Sequence, residues 1–185
     1  MSELVKIAEG VLISCLDAKA GEAVLIVTDD SRREIGEALY EASKNLGCEG
    51  MMLVMKEREL SGEEPRKAVA EAMKGADIVI APTAKSLTHT NARIQAAAAG
   101  TRIATMPGIT KEMFSQGAMT ADYAKVEKLT DKITAMLTSA DTARIEKDGK
   151  VLTISLKGRN GVPSPGVYKA PGKCGNLPSG EAYIA

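Results

Sequence analysis

The sequence predicts an α/β fold: a Rossmann-like three-layer sandwich on a mainly parallel sheet, followed by a β-hairpin and the start of a second, truncated domain. Three observations carry that reading. Short apolar runs alternate with amphipathic segments from the start of the chain to Ser139. The first run, Ala23-Val-Leu-Ile-Val-Thr28, is apolar without alternation, as a strand covered on both faces requires. The connections are short, and strands separated by helices in this way pair in parallel, with right-handed crossovers that place helices on both faces.

Each element has its own signal. Met1 to Leu16 carries Leu4, Ile7, Val11, Leu12, Cys15 and Leu16 at helical spacing, interleaved with Glu3, Lys6 and Glu9; it reads as an amphipathic helix and not as a signal peptide. After the first strand, Ser31 with Glu34 forms a capping box, Ile35, Ala38, Leu39, Ala42 and Leu46 line one helical face, and Gly47 stands where a left-handed cap belongs. Gly50 to Met55 repeats the strand. Ser61 with Glu64 repeats the capping box ahead of a helix through Ala68, Val69, Ala72 and Met73 to Gly75. Asp77 to Ala81 is the third strand, Asn91 to Ala99 the third crossover helix, and Arg102 to Met106 the fourth strand. A short helix near Thr110 to Ser115 and a longer one from about Asp122 to Leu137, with Tyr123, Val126, Leu129, Ile133 and Met136 inward, complete the layer.

Residues 1–139 therefore form the first domain and residues 140–185 something else. Thr142 to Lys147 and Lys150 to Leu156 alternate apolar and polar around Asp148-Gly149, a strong hairpin signal. From Gly158 onward the chain is dense in glycine and proline and offers no element longer than a few residues. Such a stretch at a chain end is expected to be disordered unless it packs on something that follows it. The expectation is a chain cut short inside its second domain.

Bulk composition narrows the function. Lys+Arg and Asp+Glu are both 24, giving zero net charge, and aromatics make up 3% with no Trp. Neither phosphate neutralisation nor base stacking is provided for, so no nucleic-acid or membrane-surface partner is expected. Cys15, Cys48 and Cys174 are far apart and form no CxxC pair. That argues against a disulfide framework and points to a reduced, cytoplasmic setting.

The candidate chemistry is sparse. The turn Thr28-Asp29-Asp30-Ser31-Arg32 has no glycine-rich phosphate loop, and its two carboxylates would repel a pyrophosphate. Asp29 and Asp30 read instead as charges stabilising a helix start. His89, the only histidine, lies in Lys85-Ser-Leu-Thr-His-Thr-Asn91, beyond the third strand and at a helix entrance. There it is a candidate substrate contact, the alternative being a polar residue flanking the helix. Lys85 and Arg93 could bind a carboxylate or be solvated helix-end charges. Glu181, on a glycine-flanked loop, is the candidate metal ligand, the alternative being an exposed structural carboxylate.

The order of these features carries a resemblance. A Rossmann-like module, a hairpin from Thr142-Ala-Arg-Ile to Leu156-Lys-Gly-Arg159, and then Gly175-Asn-Leu-Pro-Ser-Gly-Glu-Ala-Tyr183 resembles the front half of a thermophilic-type (M29-like) leucyl aminopeptidase, the family of aminopeptidases T and S. Asn176-x-Pro-x-Gly-Glu181 is its specific part, supported by Lys85-Ser-Leu-Thr-His89-Thr and Thr105-Met-Pro-Gly108. The resemblance implies a cytoplasmic, homodimeric metallo-aminopeptidase that removes leucine-like residues from peptides. It also implies a centre of two divalent ions, zinc or cobalt, with Glu181 as one ligand and the others in a C-terminal domain, so that the 185-residue chain alone is inactive. A sister branch of the same layout, iron-dependent ring-opening dioxygenases of dihydroxypyridines, fits equally. A stand-alone Rossmann-type binding module is the third alternative.

Overall fold

A computed structural model describes residues 2–185, so the predicted helix start at Met1 lies outside the described residues. Contacts divide the chain into two units. The first runs up to Ala121 and takes in Gly166–Pro178; the second comprises Asp122–Pro165 and Ser179–Ala185.

The first unit is the expected parallel sheet. Strands β1 (Ala23–Asp29), β2 (Glu49–Met55), β3 (Ile78–Thr83), β4 (Arg102–Pro107) and β8 (Cys174–Asn176) lie in the order β2-β1-β3-β4-β8, and all four pairings are parallel. Helices α1 (Glu3–Leu16) and α2 (Arg33–Asn45) pack together, as do α3 (Lys67–Lys74) and α4 (Asn91–Ala98), and the short helix α5 (Lys111–Ser115) follows β4. On the α3/α4 side, Leu25, Val27, Val79, Ala81 and Ile103 of the sheet meet Val69, Met73, Ala92 and Ala96 in one apolar cluster. The central strands are buried along their length, the reason they read as unbroken apolar runs.

Two capping expectations are corrected. The Ser31 hydroxyl does not cap α2: a short 3-10 turn, Asp30–Arg32, comes first, and that hydroxyl donates to the Asp29 carboxylate at 2.7 Å. Glu64 does not cap α3, which begins at Lys67 without a side-chain cap. Its carboxylate instead accepts the Asn91 and Ala92 backbone N–H groups at the head of α4, the latter at 3.2 Å. Ser61 accepts the Ser86 N–H at 3.2 Å. A box read as local thus serves a helix 27 residues on, because proximity in the fold replaces proximity in sequence.

The amino-terminal edge of the sheet is tied by Arg102. Its buried guanidinium donates to the Leu16 and Asp17 carbonyls at 2.6 and 3.1 Å and to Glu22 at 2.6 Å. It thereby satisfies carbonyls at the end of α1 that have no partner within the helix.

The irregular stretch is ordered, because it docks. Tyr168 N–H donates to the Cys15 carbonyl, Gly172 N–H to Gly100, and Ile103 N–H to Lys173, and β8 then joins the sheet beside β4. Gly175 is required there. A Cβ at that position would lie 2.4–2.6 Å from the Tyr168 ring and hydroxyl, which close over the strand.

The second unit comprises helix α6 (Tyr123–Ser139), the hairpin β5 (Thr142–Lys147) with β6 (Lys150–Ser155), and the antiparallel pair β7 (Gly161–Ser164) with β9 (Glu181–Ile184). Asp148 and Gly149 both adopt positive φ, as the predicted turn demands. The inward face expected of α6 is corrected: Leu129 (58%), Ile133 (41%) and Met136 (59%) are exposed, although Tyr123 is buried as expected. α6 packs on β7 and β9 through Val126, Thr134 and Thr138, where Gly161 and Gly180 bring the backbone close. The apolar periodicity of α6 therefore marks a face other than the one it buries here.

Candidate functional site

The carboxyl ends of the parallel strands are built from loops that the sequence placed near ligand. β1 passes on to β2 on one side while β3 lies on the other, and in open α/β sheets such a reversal opens a crevice. Here it is bridged by protein. Asp29 is buried, and its carboxylate accepts the Ala84 N–H at 2.6 Å and the Ser31 hydroxyl at 2.7 Å. The Thr28 hydroxyl donates to the Pro82 carbonyl at 2.9 Å. The expectation that Asp29 acts through the helix start is corrected: it spans the strand ends. Asp30 remains exposed and pairs with Arg33 three residues on.

One crossover further along, β3, β4 and β8 bring three hydroxyls and one amide together. Asn176 Oδ1 accepts the Thr88 hydroxyl at 2.8 Å and the Thr105 hydroxyl at 2.7 Å. Ser86 Oγ donates to Thr88 Oγ1 at 2.9 Å and accepts the Thr88 N–H at 3.1 Å. Arg93 Nε donates to the Thr88 carbonyl at 2.7 Å. From the other side the Tyr168 hydroxyl donates to the Asn176 carbonyl at 2.8 Å, and Leu177 N–H donates to the Thr105 carbonyl at 2.8 Å. Thr88 is thus held through its N–H, carbonyl and hydroxyl.

His89 follows Thr88 in that turn and is exposed, one residue before Thr90, whose hydroxyl caps α4 by accepting the Arg93 N–H. Its imidazole has no hydrogen-bond partner among the described residues, so the side chain stands in solvent on a clamped backbone. Arg93 is not the solvated helix-end charge expected: it braces the turn and also reaches Cys174 Sγ at 3.0 Å. Lys85 is half-buried, with its carbonyl accepting the Thr83 hydroxyl at 2.7 Å.

Glu181 opens β9 in the second unit, opposite Ser164, and is exposed. Gly180 before it approaches Val126 of α6 closely enough that a Cβ would meet Val126 Cγ1 at 2.9 Å. Among the described residues no three His, Cys, Asp or Glu side chains are grouped to hold a metal ion. None of the described helices is long and apolar enough to cross a membrane.

The Thr88–Thr105–Asn176 cluster was missed as a site, yet its signal was in view. Each of the three lies in a different segment singled out for the resemblance: Lys85 to Thr90, Thr105 to Gly108, and Asn176 to Glu181. Nothing in one dimension says that those segments meet.

A model of the family described as NicX, 2,5-dihydroxypyridine 5,6-dioxygenase, matches residues 3–185. The chain belongs to the NicX family. The sister branch of the sequence reading is therefore the one that the family match supports, and the aminopeptidase likeness holds at the level of fold. The NicX-type layout is shared with the 2,5-dihydroxypyridine dioxygenase from Pseudomonas putida KT2440, with a TM-score of 0.72 at 18% identity over 100% of this chain and 56% of that one. It is shared too with AmpT from Thermus thermophilus, with a TM-score of 0.65 at 14% identity over 99% of this chain and 61% of that one. At these identities the likeness is one of fold, and the chain spans little more than half the length of either structure. No curated protein matches the sequence.

Proposed function

We propose that this chain is the substrate-facing scaffold of a ring-opening dioxygenase acting on 2,5-dihydroxypyridine or a closely similar hydroxylated ring. The family match over residues 3–185 carries the reading. The geometry supports it with an exposed imidazole, His89, on a turn braced by Ser86, Arg93 and Asn176 at the carboxyl edge of a parallel sheet. Such an imidazole can hydrogen-bond a ring hydroxyl and accept its proton as the electron-rich ring is oxidised. The backbone clamp keeps it in place.

The layout implies a metal, iron in the dioxygenase branch or two zinc or cobalt ions in the aminopeptidase branch. The residues described here do not fit a complete site for either, since Glu181 is an exposed carboxylate and no three His, Cys, Asp or Glu side chains among them are grouped to hold an ion. If Glu181 is a ligand, its co-ligands are not among these residues. A small aromatic substrate replaces the peptide in this proposal, and a homodimer is retained in it.

The test uses protein expressed from the complete reading frame, assayed for oxygen uptake with loss of 2,5-dihydroxypyridine, and in parallel for hydrolysis of leucine p-nitroanilide. Pyridine consumption without anilide hydrolysis supports the proposal. Anilide hydrolysis alone replaces it with the aminopeptidase reading, and binding without turnover of either leaves a stand-alone binding module.

A further inference from the structure

We infer that the Asn176 side-chain amide is a ligand-binding donor, presented at the carboxyl edge of the sheet to an anionic or carbonyl oxygen of the substrate. Its oxygen is already used, accepting the Thr88 and Thr105 hydroxyls at 2.8 and 2.7 Å. With Oδ1 saturated on the protein side, the Nδ2 protons point the other way. They have no partner among the described residues, and Asn176 is exposed. An amide fixed at one end by two hydroxyls is oriented at the other, so its donor meets a ligand with little ordering left to do.

The surroundings select the ligand's chemistry. The cluster itself is neutral, with hydroxyls of Ser86, Thr88 and Thr105 all committed inward. The charged groups beside the Thr88 turn, Lys85 on the loop and Arg93 in the first turn of α4, are cations, and the Glu64 carboxylate is consumed on the α4 amides. An acceptor oxygen carrying full or partial negative charge is therefore favoured, and a cationic group is not. The ring hydroxylate of a dihydroxypyridine meets this requirement; that identity rests on the function proposed above, whereas the oxygen-acceptor chemistry does not.

The experiment is a titration of the 185-residue chain, labelled with 15N, following the side-chain amide resonances of Asn176 against those of Asn45, Asn91 and Asn160. The probes are 2,5-dihydroxypyridine and, separately, sodium benzoate. Asn176→Asp keeps an acceptor for both threonines but replaces the donor with a like charge. Saturable movement of Asn176 alone is expected, with affinity falling at least tenfold in N176D while its melting temperature stays near that of the parent. If N176D fails to fold, Thr105→Val serves instead, and releasing one of the two anchors is expected to weaken binding severalfold. Movement of Asn176 with benzoate and not with the pyridine upholds the inference and counts against the dioxygenase reading. If neither probe moves the Asn176 amide, or N176D binds as the parent does, the inference is overturned, whatever the turnover assay shows.

Discussion

The Asp29 carboxylate accepts the Ala84 backbone N–H at 2.6 Å, a bond across 55 residues that joins the carboxyl ends of β1 and β3. It occupies the place where an open α/β sheet would otherwise receive a nucleotide, and its second bond, to Ser31, leaves the carboxylate committed to the protein. Asp29→Ala would strand the half-buried Ala84 N–H and leave the buried strand end without its carboxylate, and is expected to destabilise the chain by about 1–3 kcal/mol. Urea denaturation of the variant measures this. An unchanged midpoint would mean that the strand ends are held without this bond.

The Glu64 carboxylate caps α4 from a distant loop. Glu64→Ala is expected to lose about 0.5–2 kcal/mol, the range found for helix caps. Amide exchange should accelerate first at Asn91 and Ala92. Protection of those two amides in the variant as strong as in the parent would contradict the cap.

Gly175→Ala would drive a methyl group into the Tyr168 ring. Overpacking of this kind costs about 1–3 kcal/mol, and here it acts on the strand that carries Asn176. The expected signature is a lower melting temperature together with exchange of the β8 amides. Gly10→Ala is the uncrowded control, since Gly10, like Gly175, has no positive φ and no atom lies within 4 Å of a Cβ there, so it is not expected to lower the melting temperature.

The three thiols should separate by reactivity and by pH. Burial pushes the Cys15 thiol up from 9.0 to about 12, only partly opposed by Lys169, and burial likewise raises Cys48, whereas Cys174 is partly exposed. Native protein is expected to show one fast thiol toward a disulfide reagent at pH 8, and mass mapping should place it at Cys174. Because the folded chain keeps the Cys15 proton where the unfolded chain has lost it, stability falls as pH rises from about 9 toward 12, by up to about 1.4 kcal/mol per pH unit from this group. Cys15→Ala should flatten that alkaline slope.

His89 can be changed without disturbing the fold, since its side chain is exposed and bonds to no described residue. His89→Gln is expected to leave the melting temperature in place and to lower turnover of the dihydroxypyridine by about 10²–10⁴, the usual contribution of a general base. Turnover equal to the parent would return His89 to the status of a helix-flanking residue.

The strands, crossover helices and hairpin turn were legible in the sequence because each rests on local physics. A β-branched apolar run of strand length, closed by Asp29-Asp30, fits a strand covered on both faces, and Asp148-Gly149 supplies the two positive φ angles its turn needs. What the local pattern could not supply was the partner of each polar group. Glu64 looked like the cap of the next helix and serves the one after it; Leu129, Ile133 and Met136 looked inward and face out because glycines 161 and 180 draw the other face of α6 onto β7 and β9. The site shows the same division. His89 and Glu181 could be named from residue type and neighbouring loop residues, whereas the bonding of Asn176 to Thr88 and Thr105, 88 and 71 residues away, exists only once β8 has docked beside β4. Apolar periodicity is a property of a short stretch of chain, but a hydrogen bond between distant segments is a property of the packed sheet, and only the tertiary structure decides it.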